Sequence, residues 1–158
     1  MAVSSFFRRR IVDPILALLR QGITPEKLAL SLAFGGTIGV FPVLGVSTPL
    51  LTVLALWLRL NLPSIQLINY LVSPLQLLLI FPFLRLGESL TGAPRFPLSF
   101  EDSFAILSRG ALQAIGILWD AIVHAAIGWL AIGPLAIFIL YKSFKPLLAR
   151  AAAQMPKK

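Results

Sequence analysis

The chain has 158 residues, 58% of them hydrophobic and only 13% charged, with a formal net charge of +8 and no cysteine. That balance lies outside the usual range for a soluble globular domain and predicts an all-α integral membrane protein. It excludes thiol catalysis, cysteine-based zinc or iron–sulfur sites and disulfides. With one histidine, six scattered acids and no HExxH, P-loop or GxSxG sequence, it leaves little material for an enzyme, a cofactor or a metal.

Three stretches carry no charge or nearly none: 28–58, 60–84 and 110–141, the last interrupted only by Asp120. Each exceeds the roughly 20 apolar residues that a spanning helix needs. The basic residues sit outside these stretches. Arg8, Arg9, Arg10, Arg20 and Lys27 precede the first, and Lys142, Lys145, Arg150, Lys157 and Lys158 follow the last. A split of this kind argues against nucleic acid and for two cytoplasmic termini joined by an even number of full crossings.

Residues 1–21 form the first segment. Arg8-Arg9-Arg10 is followed by a short apolar patch and Asp13-Pro14, which does not fit a cleaved signal peptide. Phe7, Ile11, Ile15, Leu18 and Leu19 approximate one helical face, with Asp13 as cap and Pro14 at the first helical position. The expectation is an interfacial helix on anionic headgroups.

Residues 22–87 are the core. Thr24 caps a helix that Pro25 and Glu26 open, and Ser31, Gly35 and Gly39, broadened by Gly36, make a small-residue stripe for close packing. The helix is then interrupted by "GVFPVLGVSTPLL" at residues 39–51. Leu28 to Phe41 gives about 21 Å of helix and Pro49 to Leu58 about 15 Å, each short of a bilayer core. Pro42, Gly45 and Pro49 free too many backbone groups for one kinked helix in lipid, so the spacing predicts a re-entrant hairpin with its tip at Pro42 to Thr48. Ser73-Pro74-Leu75 followed by Leu84-Arg85-Leu86 echoes Thr48-Pro49-Leu50 followed by Leu58-Arg59-Leu60. The echo predicts a second proline-broken hairpin facing the first, with half-helices starting at Pro49 and Pro74.

These residues also resemble a known family. "GITPEKLALSLAFGGTIGVFPVLGVST", "LRLNLPS" and "SPLQLLLIFPFLRLG" are similar to the G-x-T-P-E-K-x-A, P-x-x-G-x-x-T, L-R-x-N and N-P-L-T elements of the bacterial membrane family catalogued as domain of unknown function 2062. Residues 22–87 carry the specific part. Ser73 and Gln76 stand where the family has Asn and Thr, so the polar contact at the second tip is expected to differ. The resemblance implies a multi-pass protein of the bacterial inner membrane and no particular biochemical role.

Residues 88–103 read as a loop, with Ser99 opening a further helix. Residues 104–147 read as a C-terminal helical membrane segment, and 148–158 as a basic tail. Gly116, Asp120, His124 and Gly128 share one line at i+4 spacing. Asp120 and His124 inside an apolar run are either an interfacial pair or a proton-coupling site. Gly133-Pro134 is expected to kink this helix, and Trp119, Trp129 and Tyr141 to anchor it at the interfaces.

Two readings of function follow. In the first, the chain is a transporter or flippase-like protein for an anionic lipid or small anionic solute. Ser47, Thr48, Asn69, Ser73 and Gln76 would then form a central polar site, and Arg59 and Arg85 would attract the anionic group rather than merely snorkel. In the second it is a non-catalytic membrane adaptor for an envelope-biogenesis enzyme. Membrane lipids are the expected partners in both, with a homo-oligomer or an envelope enzyme as the protein partner.

Overall fold

The structure, a computed structural model, describes residues 23–96 and 111–153. The interfacial helix expected over 1–21 and the helix start at Ser99 lie outside the described residues. Among the described residues the fold is all-helical, with four helices.

Helix α1, Pro25–Ile38, begins where its start signal lies: the Thr24 hydroxyl accepts from the Lys27 amide at 3.3 Å, and Glu26 occupies the first turn. The chain then turns through residues 39–46, where Gly45 takes a φ of 81° that side chains rarely adopt. Helix α2, Ser47–Trp57, returns in the opposite direction. It starts two residues before Pro49, so Thr48 lies inside its first turn instead of capping it. Proline is tolerated there because first-turn amides have no intrahelical partner.

Asn61 opens helix α3, Leu62–Thr91, by accepting from the Ser64 amide at 2.8 Å. The break expected at Pro74 is not present: α3 runs unbroken through Pro74 and Pro82. The Ser73 hydroxyl donates to the carbonyl of Asn69 at 3.0 Å, bonding back into its own turn instead of capping a new helix. Proline costs this helix one ladder bond, and the leucine-rich turns on both sides carry it across. The sequence echo is therefore not a structural repeat, and only the first proline break interrupts a helix. The exit also differs from the expected loop, since α3 continues to Thr91 and stops at Gly92 in the left-handed conformation, φ 70°. Helix α4, Ala111–Ala153, likewise contains Pro134 and Pro146 without a break.

Helices α1 and α3 run in the same direction. Gly35 lies against the Ile65 carbonyl and Ile68, and Gly39 against Val72 and Asn69, as the small-residue stripe requires. Helix α4 runs back across both. Its Gly128 meets the backbone at Phe83, its His124 backbone meets Gly87, and Leu148 joins Leu28, Ala29 and Leu32 in a small core. Trp129, expected at an interface, is instead buried, donating to the Thr37 carbonyl at 2.9 Å and meeting Phe41 edge-on at 5.1 Å.

The directions fix the bundle's two ends. Thr24, Arg59 and Asn61 share one end, to which Lys145 of α4 also comes, 3.6 Å from Glu26. At about 1.5 Å per residue α3 is roughly 45 Å long, and Gln76, which meets the 39–46 turn, lies near its middle. Helices α3 and α4 are long and apolar enough to cross a membrane, and only 22% of the most apolar stretch of each is buried within the chain.

The glycine contacts give a direct test. A Cβ on Gly128 would fall on backbone atoms of Phe83 and Gly87, whereas one on Gly116 would meet nothing. Gly128→Val should therefore destabilise the protein by about 3 kcal/mol or more. Gly116→Ala should be neutral or stabilising by up to about 1 kcal/mol. Thermal melts of the purified variants in one detergent should separate the two.

Candidate functional site

The polar groups of the hairpin meet on one face of α3. Asn69, buried, donates to the Thr48 hydroxyl at 3.0 Å and to Gln66 Oε1 at 3.1 Å. Gln66 in turn donates to the Thr48 carbonyl at 3.1 Å and to the Thr52 hydroxyl at 3.0 Å. Thr52 closes the set by donating to the Thr48 carbonyl at 2.8 Å. Two turns further along α3, Gln76 donates to the Phe41 carbonyl at 2.6 Å and reaches the Val43 carbonyl at 3.4 Å. Those carbonyls belong to the turn that interrupts the helices and also accept from the Val43 and Val46 amides within it, so a buried amide from α3 adds a second hydrogen bond to backbone groups that the break sets free.

The structure thus brings together Thr48, Asn69 and Gln76 of the expected site and adds Gln66 and Thr52, which the sequence reading did not single out. Ser47 is buried at the start of α2 with no hydrogen bond to them, while among the described residues Ser73 bonds into its own helix. Pro42 is buried within the turn, and Gly45, Pro49 and Pro74 are exposed. One polar atom of the knot, Asn69 Oδ1, is buried without a partner among the described residues, close to Gly39.

Arg59 and Arg85 do not join this knot. Arg59 lies at the α2–α3 junction in a cleft of about 280 Å³ with Thr24, Lys27 and Asn61. Arg85 lies toward the opposite end of α3, bound to the buried Glu88 at 2.7 Å and donating to the Phe96 carbonyl at 3.1 Å. Glu88 also accepts from the Phe96 amide at 2.7 Å, so the ion pair pins the chain after Gly92 back onto α3. Arg85, Glu88 and Arg95 line a second polar cleft of about 430 Å³. An apolar groove of about 380 Å³ runs beside the hairpin tip between α1, α3 and α4, lined by Thr37, Val40, Leu79, Phe83 and Trp129 among others.

Asp120 is exposed, and no ion pair joins it to His124 among the described residues. The His124 Nδ1 lies 2.6 Å from the Asp120 carbonyl oxygen, a contact within one helical turn. Among the described residues no three His, Asp or Glu side chains are grouped so as to hold a metal ion.

The arrangement defines a class: an all-helical chain in which a helical hairpin packs against two helices of membrane-crossing length. The family model described as an uncharacterized protein conserved in bacteria (DUF2062) matches residues 8–155, and the chain belongs to that family. The match takes in nearly the whole chain, well beyond the 22–87 segment that carries the recognisable motifs. No curated protein and no solved structure matches it.

If Gln76 holds the turn, its loss should be felt while that of Ser73 is not. Gln76→Leu removes the bonds that tie the Phe41 and Val43 carbonyls to α3 and should cost about 0.5–1.5 kcal/mol, whereas Ser73→Ala should cost less than about 0.5 kcal/mol. Guided hydrogen exchange of residues 39–46 should show faster opening in the first variant alone.

Proposed function

We propose that the chain is a multi-pass protein of the bacterial inner membrane that transfers an anionic lipid between leaflets, with the 39–46 turn as the tip of a re-entrant hairpin. Exposed apolar side chains support the membrane setting. Val53, Leu56 and Trp57 on α2 are 66%, 69% and 78% exposed, and water would make such a face costly. The charge distribution supports the orientation. Lys27, Arg59, Lys145 and Arg150 gather at one end of the bundle, which the positive-inside tendency assigns to the cytoplasm. Both described chain ends lie there, as two full crossings by α3 and α4 require.

The observation that carries the transfer reading is the placement of polar features along α3. Arginine-bearing clefts lie at its two ends and the polar hairpin tip lies halfway between them. A polar headgroup crossing hydrocarbon needs such a stopping place, because an unsolvated charge at mid-depth costs at least about 2.5 kcal/mol. The apolar groove beside the tip suits an acyl chain better than a small hydrophilic solute and favours the lipid over a free anion. A second reading has its own support. Thr48, Gln66 and Asn69 are largely satisfied by one another, which also suits a rigid joint in a non-catalytic adaptor whose exposed faces meet a partner.

Two measurements decide. The chain has no cysteine, so single cysteines at Arg59 and Arg95 can be labelled cleanly from either side of sealed vesicles. Impermeant reagent should reach Arg59→Cys from the cytoplasmic side and Arg95→Cys from the other; labelling of both from one side overturns the two-crossing topology. In phosphatidylcholine liposomes carrying a fluorescent phosphatidic acid, the protein should speed transbilayer exchange. Thr48→Val with Asn69→Leu should slow it by about tenfold, the equivalent of a lost hydrogen bond. Exchange no faster than in protein-free liposomes would give first place to the adaptor.

A further inference from the structure

We propose that the cleft at the α2–α3 junction is a binding site for a phosphate monoester, the headgroup of a phosphatidic-acid-like lipid, held by Lys27 and Arg59. The inference rests on the membrane reading above and names the ligand at the cytoplasmic end of the transfer route.

The cleft is lined by Ile23, Thr24, Lys27, Arg59, Leu60 and Asn61 and has a volume of about 280 Å³. Two of these side chains are cations and none is an acid. Neither Lys27 nor Arg59 forms an ion pair among the described residues, and the neighbouring Glu26 is turned to Lys145. Two cations on one small cleft, with no acid among its described lining, repel each other unless an anion lies between them. A phosphate monoester carries about −1.5 to −2 at neutral pH and matches both, where a diester carries only one charge. Arginine offers a planar fork of donors suited to phosphate oxygens, and lysine a point charge beside it. The Asn61 amide nitrogen adds a donor that has no partner among the described residues, where this side chain's hydrogen bonds are made through its oxygen to Ser64.

The backbone under Arg59 strengthens the case. Leu60 N donates to the Ala55 carbonyl at 2.8 Å and Arg59 takes φ 52°, the left-handed position after a helix that glycine normally fills. A residue with a side chain is strained there, and the exposed Arg59 forms no ion pair among the described residues that would offset the strain. Stability is given up where an arginine faces the cleft. The surroundings point to a lipid as the carrier of the phosphate. Val53, Leu56 and Trp57 form an exposed apolar face that leads up α2 to Arg59, so a tail can lie on α2 while its headgroup enters the cleft.

Native mass spectrometry of the full chain in detergent, titrated with dioleoyl phosphatidic acid, phosphatidylglycerol or phosphatidylcholine, tests this. Phosphatidic acid should bind one to one and about tenfold more tightly than phosphatidylglycerol. Lys27→Gln should weaken that binding severalfold. Arg59→Gly should weaken it too while raising the melting temperature, an outcome that misfolding cannot imitate. Arg150→Gln, outside the cleft, should bind like the unaltered chain. Displacement of the lipid by millimolar inorganic phosphate, with the same dependence on Lys27 and Arg59, would keep the phosphate site and assign it to free phosphate. Equal binding of phosphatidic acid by Lys27→Gln/Arg59→Gly and the unaltered chain overturns the proposal even if transbilayer exchange persists. Binding without exchange overturns the transfer reading and leaves the cleft standing.

Discussion

The structure hangs on how the backbone freed between α1 and α2 is satisfied. A helix broken inside an apolar segment presents carbonyls that hydrocarbon cannot receive, and here amides of the turn itself and a buried amide on α3 receive them together. Gln76 reaches the Phe41 and Val43 carbonyls, and Asn69, two turns earlier on the same helix, reaches the Thr48 hydroxyl on the far side of the turn. The two contacts hold both arms of the hairpin to one face of α3 and set its register. Sliding the hairpin by one residue along α3 would break them together, so hydrogen bonds fix the position of the tip along α3 more sharply than apolar packing, which tolerates small slips, would by itself.

Close backbone approach makes that register affordable. Gly35 and Gly39 let α1 lie against α3 near Ile65 and Val72, which brings the turn within reach of Gln76. Gly87 and Gly128 do the same for α3 and α4, and the resulting crossing places Trp129 where its indole can donate to the Thr37 carbonyl near the end of α1. In a membrane, where lipid tails are as apolar as leucine, association of helices depends on such tight contacts and on interhelical hydrogen bonds rather than on exclusion of water. The fold uses both at the same depth.

Much of this was legible in the residues. The Thr24 start, the break around Pro42 and Gly45 and the small-residue stripe rest on local backbone chemistry, which sequence reports directly. Pro74 misled because proline carries two meanings. After Thr48 it sits beside glycines and a turn that end the helix anyway, while after Ser73 only leucine-rich helix surrounds it and the ladder survives the loss of one bond. Glu88 and Gln66 were illegible for a different reason. Each has a side-chain partner at i,i+3 spacing, Arg85 and Asn69, but the contacts that tie it to the rest of the fold include the Phe96 amide and the Thr48 carbonyl, backbone groups brought near by tertiary structure that no side-chain pattern marks. Trp129 read as an interface anchor because its partner is likewise a carbonyl, contributed by α1.

The two ends of α3 treat charge differently, and this bears on direction. Toward its end, Arg85 is neutralised by the buried Glu88 and donates from its second terminal nitrogen to the Phe96 carbonyl, so it acts first as a clasp. At the start, Lys27 and Arg59 have no acid among the residues lining their cleft, and Arg59 is held there on a strained backbone. On the reading proposed above, an anionic headgroup would meet an open site at one end of α3 and a largely satisfied one at the other. On the transfer reading such asymmetry makes the cytoplasmic end the place of capture, but it cannot by itself drive net transport. A passive route equilibrates a lipid whatever the affinities along it, and sustained direction would have to come from the membrane potential or from chemistry that consumes the lipid on one side.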